Sequence, residues 1–232
     1  MAQSSSAAVI RRAGKRRRPS AAAPTCLSSV RAFAEAVRER FGRIDVLVNN
    51  AAIAFKAADP TPFEQQTKPT LDINFRGTLE LTETVLPLLT DYRVDDGRVV
   101  NVASMAGKLR QVSAPLQSAF SDLSATLDSV RGLVDRFESD VAAGAHKLRG
   151  WSNSNYGMSK LALIAVTKVL ARSHPALRVN CCCPGYCDTD MSSHKGPRPP
   201  AEGARNALLL VTTPRDQCPS GAFVQNEKES EW

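Results

Sequence analysis

From residue 27 onward the apolar residues fall into two alternating rhythms. Val30, Phe33, Ala34, Val37 and Phe41 recur at helical spacing, and Gly42 is placed to end that helix. Residues 44–48 follow as a run that is apolar except for Asp45, the pattern of a strand buried on both faces of a parallel sheet. The alternation then repeats, predicting a helix over about 69–89, a strand over 98–102, a helix over about 156–173, a strand over 177–182, a helix over 200–211 and a short strand near 222–224. Strands alternating with helices predict an α/β layer architecture with a parallel sheet. Pro69 is expected in the first turn of its helix, where proline is tolerated, which would put Asn74 about one turn in.

A long insertion separates the strand at 98–102 from the helix at 156–173. In it Leu123, Leu127, Val130, Val134, Phe137 and Val141 form one apolar stripe. The opposite face mixes charges (Asp128, Arg131, Asp135, Arg136, Glu138), so this amphipathic helix is expected to pack on the body rather than on a membrane surface. Residues 1–25 are rich in Ser, Ala and Arg and carry no period, and are expected to form a disordered basic tail ahead of one domain over 26–232. No run of 18 apolar residues predicts a membrane span.

Charge changes this picture little. The chain has 30 basic and 23 acidic side chains, but Arg11, Arg12, Lys15, Arg16, Arg17, Arg18 and Arg31 precede the first acidic residue. The remainder is balanced, so no nucleic-acid-tracking surface is expected. The Lys15–Arg18 run fits a nuclear signal, the acid-free start fits a mitochondrial transit peptide, and a solvated tail without a receptor fits both equally well. Cys181, Cys182 and Cys183 are consecutive and, on a strand, must face alternate sides, so they cannot converge on one partner. Reduced, packed thiols in a cytoplasmic protein are expected, with no metal site.

The chemistry begins with Tyr156 and Lys160, four apart and therefore on one helix face. A phenol is a poor acid at neutral pH, and a close cation is expected to stabilise its phenolate and so lower its pKa. Tyr156 would then exchange a proton with a carbonyl or alcohol oxygen. Asn49-Asn50-Ala51, Asn101 to Gly107, and Pro184-Gly185 with Thr189 each follow a predicted strand at its carboxyl end, where open α/β sheets place ligands.

With these segments the chain resembles the short-chain dehydrogenase/reductases, and among them the monomeric NADPH-dependent carbonyl reductases, from about residue 27 to Trp232. Tyr156 and Lys160 match the Y-x-x-x-K motif, Ser104 the serine that binds the reacting oxygen, and Asn74 the helix asparagine that supports a proton relay through water to the lysine. Asn50 stands where the family contacts the cofactor ribose, together with Tyr156 and Lys160, and Asp188, Thr189 and Asp190 where it meets the nicotinamide. Segment 53–63, the insertion, and Gly150-Trp151 are similar to carbonyl reductases in particular. Tyr186 would form an aromatic wall for substrate, and Phe55, Lys56 and Gln66 match positions that hold glutathione-like substrates. Other readings stand beside these: Asn50 as a loop hydrogen-bonder, Tyr186 as a half-buried tyrosine with a wet hydroxyl, Lys56 as a solvated charge.

The resemblance implies a Rossmann-like doubly wound parallel sheet, a monomer, and reduction of ketones, aldehydes or quinones. It also implies an opening strand, glycine-rich turn and helix that grip the cofactor pyrophosphate, whereas Gly14 is the only glycine ahead of Gly42. The expectation is a truncated sheet without its first three strands. Loss of three charge-assisted hydrogen bonds at about 1.5 kcal/mol each would cost roughly 4.5 kcal/mol, about a thousandfold in cofactor affinity. Ala52 and Ala103 are smaller departures, where the family usually has glycine and often a second serine. The alternative function is a catalytically silent relative that acts, if at all, as a binding or interaction protein.

Overall fold

The computed structural model describes residues 27–56, 58–91 and 96–232. The tail expected over residues 1–25 lies outside them. Helix α1 (Leu27–Phe41) ends where Gly42 adopts φ 74° and donates its N–H to the Arg38 carbonyl at 2.9 Å. Ala34 and Val37 of its stripe are buried, but Phe33 and Phe41 stay 38% and 39% exposed, so the helix buries a narrower face than the pattern predicts. Strand β1 (Val46–Asn49) begins two residues later than expected. The reason is local: the Ile44 N–H bonds to the Leu88 carbonyl of a helix end, not to a strand neighbour.

Helix α2 (Phe63–Leu71) runs through a π-helical segment (Asp72–Gly77) into α3 (Thr78–Leu89). This corrects the expected start at Pro69. The helix begins at Phe63, Pro69 lies inside it, and Asn74 sits in the π segment, not one turn from the start. Proline in a helix interior removes a donor, and here nearby carbonyls are met by side chains: Thr67 Oγ1 donates to Phe63 O at 3.0 Å and Thr70 Oγ1 to Gln66 O at 2.7 Å. A widened turn of this kind is a frequent carrier of functional residues.

The chain continues through β2 (Arg98–Val102), α4 (Ala114–Ser121), α5 (Leu127–Ala142), α6 (Asn155–Ser173), β3 (Arg178–Cys183), α7 (Pro200–Gly203), α8 (Arg205–Thr212), β4 (Phe223–Gln225) and β5 (Lys228–Glu229). The sheet order is β1-β2-β3-β4-β5, parallel through β4 with β5 antiparallel. Among the described residues β1 pairs with β2 alone and so forms one edge. The expected helix over 200–211 is two helices meeting at Ala204. Strand β5 was not predicted, because its two-residue hairpin uses Asn226 and Glu227, both at positive φ, where sequence patterns expect Asn-Gly.

Three layers result. Helix α6 is buried along nearly its whole length between sheet and outer helices, which explains why it is apolar on all sides. The strand cysteines alternate as expected: Cys182 packs with Val48, Val100 and Leu210, while Cys181 and Cys183 pack with Ile164 and Phe223. All three thiols are free and buried, and burial pushes Cys182 up to about 12.

The insertion packs on the body through Val130, Val134, Phe137 and Val141. Leu123 does not belong to that face. It is 83% exposed, because Thr126 caps the helix reciprocally with Ser129 and starts it later. At the far end Asp140, 2% exposed, accepts from Trp151 Nε1 at 2.7 Å and from Arg149, tying the insertion to Gly150-Trp151. Asp140→Ala should therefore lower stability by about 2–3 kcal/mol, since a buried indole donor is orphaned and a paired charge freed. An unchanged midpoint in urea unfolding would show that the bond is dispensable.

Candidate active site

The site is assembled at the carboxyl ends of β2 and β3 against the first turns of α6. Beneath it runs a buried polar ladder. Asn49 and Asn101 face each other across β1 and β2, with Asn49 Nδ2 donating to Asn101 Oδ1 at 2.8 Å and to Thr82 Oγ1 at 2.9 Å. Asn101 Nδ2 continues to Thr167 Oγ1 on α6 at 2.9 Å. Amides inside a core are retained only when satisfied, and satisfied they fix the register of strand ends on helix.

Ser104 follows β2 directly and caps a short 3-10 helix, its Oγ accepting the Ala106 N–H at 3.1 Å. That turn lies hard against α6. A Cβ on Gly107 would sit 2.7 Å from the Lys160 carbonyl carbon, so only glycine permits the approach. Across the contact, the Ser104 hydroxyl faces the Tyr156 phenol and counters the rise that burial imposes on its pKa. Helix α6 is capped by Ser154, whose Oγ accepts the Gly157 N–H at 2.9 Å, and is anchored by buried Asn155 to Thr67 and Phe63 of α2.

Lys160 is 2% exposed and donates to the Val102 carbonyl at 2.7 Å, with its ammonium 5.6 Å from the Tyr156 ring centre. Burial pushes its pKa down from the ordinary 10.5 to about 8. Tyr156 does not show the expected lowering. Desolvation raises its pKa, opposed by the hydrogen bond to Ser104, because the ammonium is committed to a strand carbonyl and not aimed at the phenol oxygen. A phenol held protonated is the form a proton donor requires.

Asn74 is fully engaged. Its Oδ1 accepts the Ile53 N–H at 2.7 Å, and its Nδ2 donates to Ile53 O at 2.9 Å and to Ser159 Oγ at 3.1 Å. It thereby pins the loop after β1 to the residue preceding Lys160. Asn50, just past the end of β1, is exposed, and its buried neighbour Asn49, the strand's last residue, does the structural work. In the same loop Phe55 is half-buried and Lys56 exposed, while Gln66 Nε2 donates to Thr61 O at 2.6 Å and so holds its own loop.

After β3, Tyr186 is 56% exposed beside Gly185. Asp188 and Asp190 lie at the surface and share one imidazole, with His194 Nδ1 2.7 Å from Asp188 Oδ1 and Nε2 3.0 Å from Asp190 Oδ1. Thr189 between them caps a short 3-10 helix closed by Ser192. The structure thus brings Ser104, Tyr156, Lys160 and Asn74 together in one cluster, and leaves Asn50, Lys56, Tyr186, Asp188 and Asp190 exposed around it. Sequence reasoning missed Asn49, Asn101, Thr167 and Gln111, whose signal was only polarity where apolar residues were expected. Among the described residues no cluster of three His, Cys, Asp or Glu is placed to hold a metal, and no helix is long and apolar enough to cross a membrane.

A parallel α/β sheet with a Ser–Tyr–Lys cluster at its carboxyl end defines an oxidoreductase of the dinucleotide-binding type. The chain belongs to the short chain dehydrogenase family, whose model matches residues 5–122; a second model, enoyl-(acyl carrier protein) reductase, matches residues 141–212. It is 39% identical to carbonyl reductase [NADPH] 1 of Sus scrofa over 89% of this chain and 73% of that one, and 38% identical to the Homo sapiens protein over 89% and 76%. Among solved structures, salutaridine reductase from Papaver somniferum is similar with a TM-score of 0.78 at 27% identity, covering 86% of this chain and 79% of that chain. The NADPH-bound carbonyl reductase from chicken fatty liver shares the fold with a TM-score of 0.61 at 20% identity, over 90% and 75%.

Two titrations follow from this geometry. Below about pH 8 Lys160 is charged in both folded and unfolded chains and its burial cost is fully felt; between about 8 and 10.5 the folded chain has released a proton that the unfolded chain keeps. Stability should rise across that window, and Lys160→Met should remove the rise, on the order of 1–3 kcal/mol. Urea unfolding of both proteins at the two ends of the window checks this; equal slopes would contradict it. For His194 the pKa is raised, first by the Asp188 hydrogen bond and then by Asp190. Its contribution is fully present below the ordinary 6.5 and is lost as pH rises through the folded value. Proton NMR should show His194 titrating above 6.5, and Asp188→Asn should bring it down.

Proposed function

We propose that this chain is an NADPH-dependent carbonyl reductase that converts ketones, aldehydes or quinones to alcohols. The observation that carries the reading is the Ser104 hydroxyl facing the Tyr156 phenol beside buried Lys160, whose ammonium lies 5.6 Å from the phenol ring centre. Relatives named carbonyl reductase [NADPH] 1 support the same reading. NADPH supplies the hydride when bound.

The residues present fit such a group. An ammonium has three donors, and Lys160 spends one on Val102 O, which leaves N–H groups for ribose hydroxyls at the strand ends. Tyr156 completes that contact, with exposed Asn50 at the end of β1 and Thr189, Asp188 and Asp190 after β3 around the nicotinamide end. Ser104 Oγ accepts the Ala106 N–H, so its proton is directed into the site toward Tyr156, where a substrate oxygen would take the phenol's place as acceptor. Tyr156 gives its proton to that oxygen as the carbonyl carbon is reduced. Asn74 serves the proton supply by holding Ile53 and Ser159, and with them Lys160, in place. Tyr186 offers an aromatic wall. Phe55, Lys56 and Gln66 lie on the segment that would meet a glutathione-bearing substrate.

The full chain should oxidise NADPH in the presence of a quinone or aromatic ketone. Tyr156→Phe should lower kcat about a hundredfold or more while leaving NADPH binding, measured by calorimetry, unchanged. Undiminished turnover in that variant would make Tyr156 structural. A folded chain that neither binds NADPH nor turns over favours the silent relative.

A further inference from the structure

The spacing between Ser104 and Tyr156 is set by two pieces of chain that share few bonds. Ser104 belongs to the turn after β2, Tyr156 to the first turn of α6. Among the described residues no main-chain hydrogen bond crosses from the segment 104–111 to α6. Among the described residues the side-chain hydrogen bond that crosses is made by the carboxamide of Gln111. Its Nε2 donates to the Ala106 carbonyl at 2.7 Å and to the Gly157 carbonyl at 3.2 Å. Ala106 is the residue whose N–H bonds Ser104 Oγ, and Gly157 is the neighbour of Tyr156. One amide group therefore grips the backbone on both sides of the reacting pair.

The packing shows that the grip is built for close contact. A Cβ on Gly157 would lie 2.4 Å from Gln111 Oε1 and 3.0 Å from Ala106 O, so glycine at 157 opens the space the carboxamide fills. Gly107 does the same where the turn meets Lys160. The glycines allow the approach but supply no attraction; the two hydrogen bonds do. The short helix Leu109–Gln111 exists at the right distance to aim the side chain back.

We propose that Gln111 is a positioning residue of the reductase reaction: its carboxamide sets the distance at which the Ser104 hydroxyl meets the Tyr156 phenol. The proposal rests on the carbonyl reductase reading for its kinetic arm only. Gln111→Met keeps the length and removes both donors. Gln111→Glu keeps the shape and sets a carboxylate against two carbonyls.

In both variants, kcat for reduction of a quinone should fall about ten- to a hundredfold with the KM for NADPH unchanged, since a small misplacement of reacting groups acts on the chemical step. The second readout needs no turnover. The chain has three tyrosines, so carbon-13 labelling of the phenol ring carbon bearing oxygen resolves Tyr156, assigned by its loss in Tyr156→Phe. Its titration should move to higher pH in both variants, because the Ser104 bond that opposes desolvation is weakened.

A parallel fall of kcat, NADPH affinity and melting temperature with an unmoved Tyr156 titration would overturn the proposal in favour of a merely structural role, as would two variants with wild-type kcat and wild-type titration. If the wild-type chain shows no turnover, the reductase reading fails. The Tyr156 titration then still decides Gln111: a shift supports the clamp and its absence overturns it.

Discussion

A buried ammonium is costly unless it is hydrogen-bonded, and Lys160 lies in the second turn of α6 with 2% of its surface exposed. The partner is a strand-end carbonyl, Val102 O, which is available because β2 ends there and its next residues leave the sheet. Everything around the site is arranged to keep that contact. Gly107 lets the departing chain turn directly against the helix backbone at Lys160, Ser159 is held by Asn74, and Asn101 ties the same strand end to Thr167, two turns further along the same helix face. The helix can neither rotate nor slide without breaking a buried polar bond.

The insertion between β2 and α6 extends the same constraint outward. Its helix is docked by four apolar residues and by Asp140, whose buried carboxylate holds Trp151 just before α6 begins. Arg76, within the π segment that carries Asn74, reaches Asp72, Asp135 and Glu138 and so fastens the lead-in to α3 to the insertion. These ions are partly exposed, so each pair adds little stability. Their geometric effect is larger: the residues before Tyr156 and the helix that bears Asn74 are joined through one intermediary.

Much of this was legible beforehand, for definite reasons. The strand at 98–102 and the helix at 156–173 carried uniform burial patterns that turns and caps did not blur, and of the candidate site residues Tyr156 and Lys160 stood on a fixed spacing while Ser104 and Asn74 stood on their flanking sequence. What escaped notice depended on tertiary context. Pro69 read as a helix start because a lone proline carries no sign of Thr67 and Thr70 meeting the carbonyls around it. Leu123 fitted the stripe by spacing but not by cap. The acidity of Tyr156 came out reversed, since spacing along a helix places Lys160 on the same face yet cannot say that its ammonium is bound to Val102. Gln111 has no periodicity at all; its meaning lies in two carbonyls that are distant in sequence.

The site is therefore unequal in its two halves. Around Ser104, Tyr156 and Lys160 the backbone is tied by Lys160 to Val102 and by Gln111 to Ala106 and Gly157, and the close approaches at Gly107 and Gly157 are made by glycine, so the geometry is largely set in advance of any ligand. After β3 the order is different. Tyr186, Asp188 and Asp190 are exposed, the chain passes through two residues of positive φ at Ser193 and His194, and its side chains bond to one another rather than to the body. Local bonds among exposed groups are cheap to exchange, because water satisfies each partner when they part. The rigid half can set the distance of a proton transfer, and the exposed half can adapt to what is bound. The segment after β3 and the loop bearing Phe55 can therefore change shape without disturbing the contact between one turn and one helix that brings Ser104 to Tyr156.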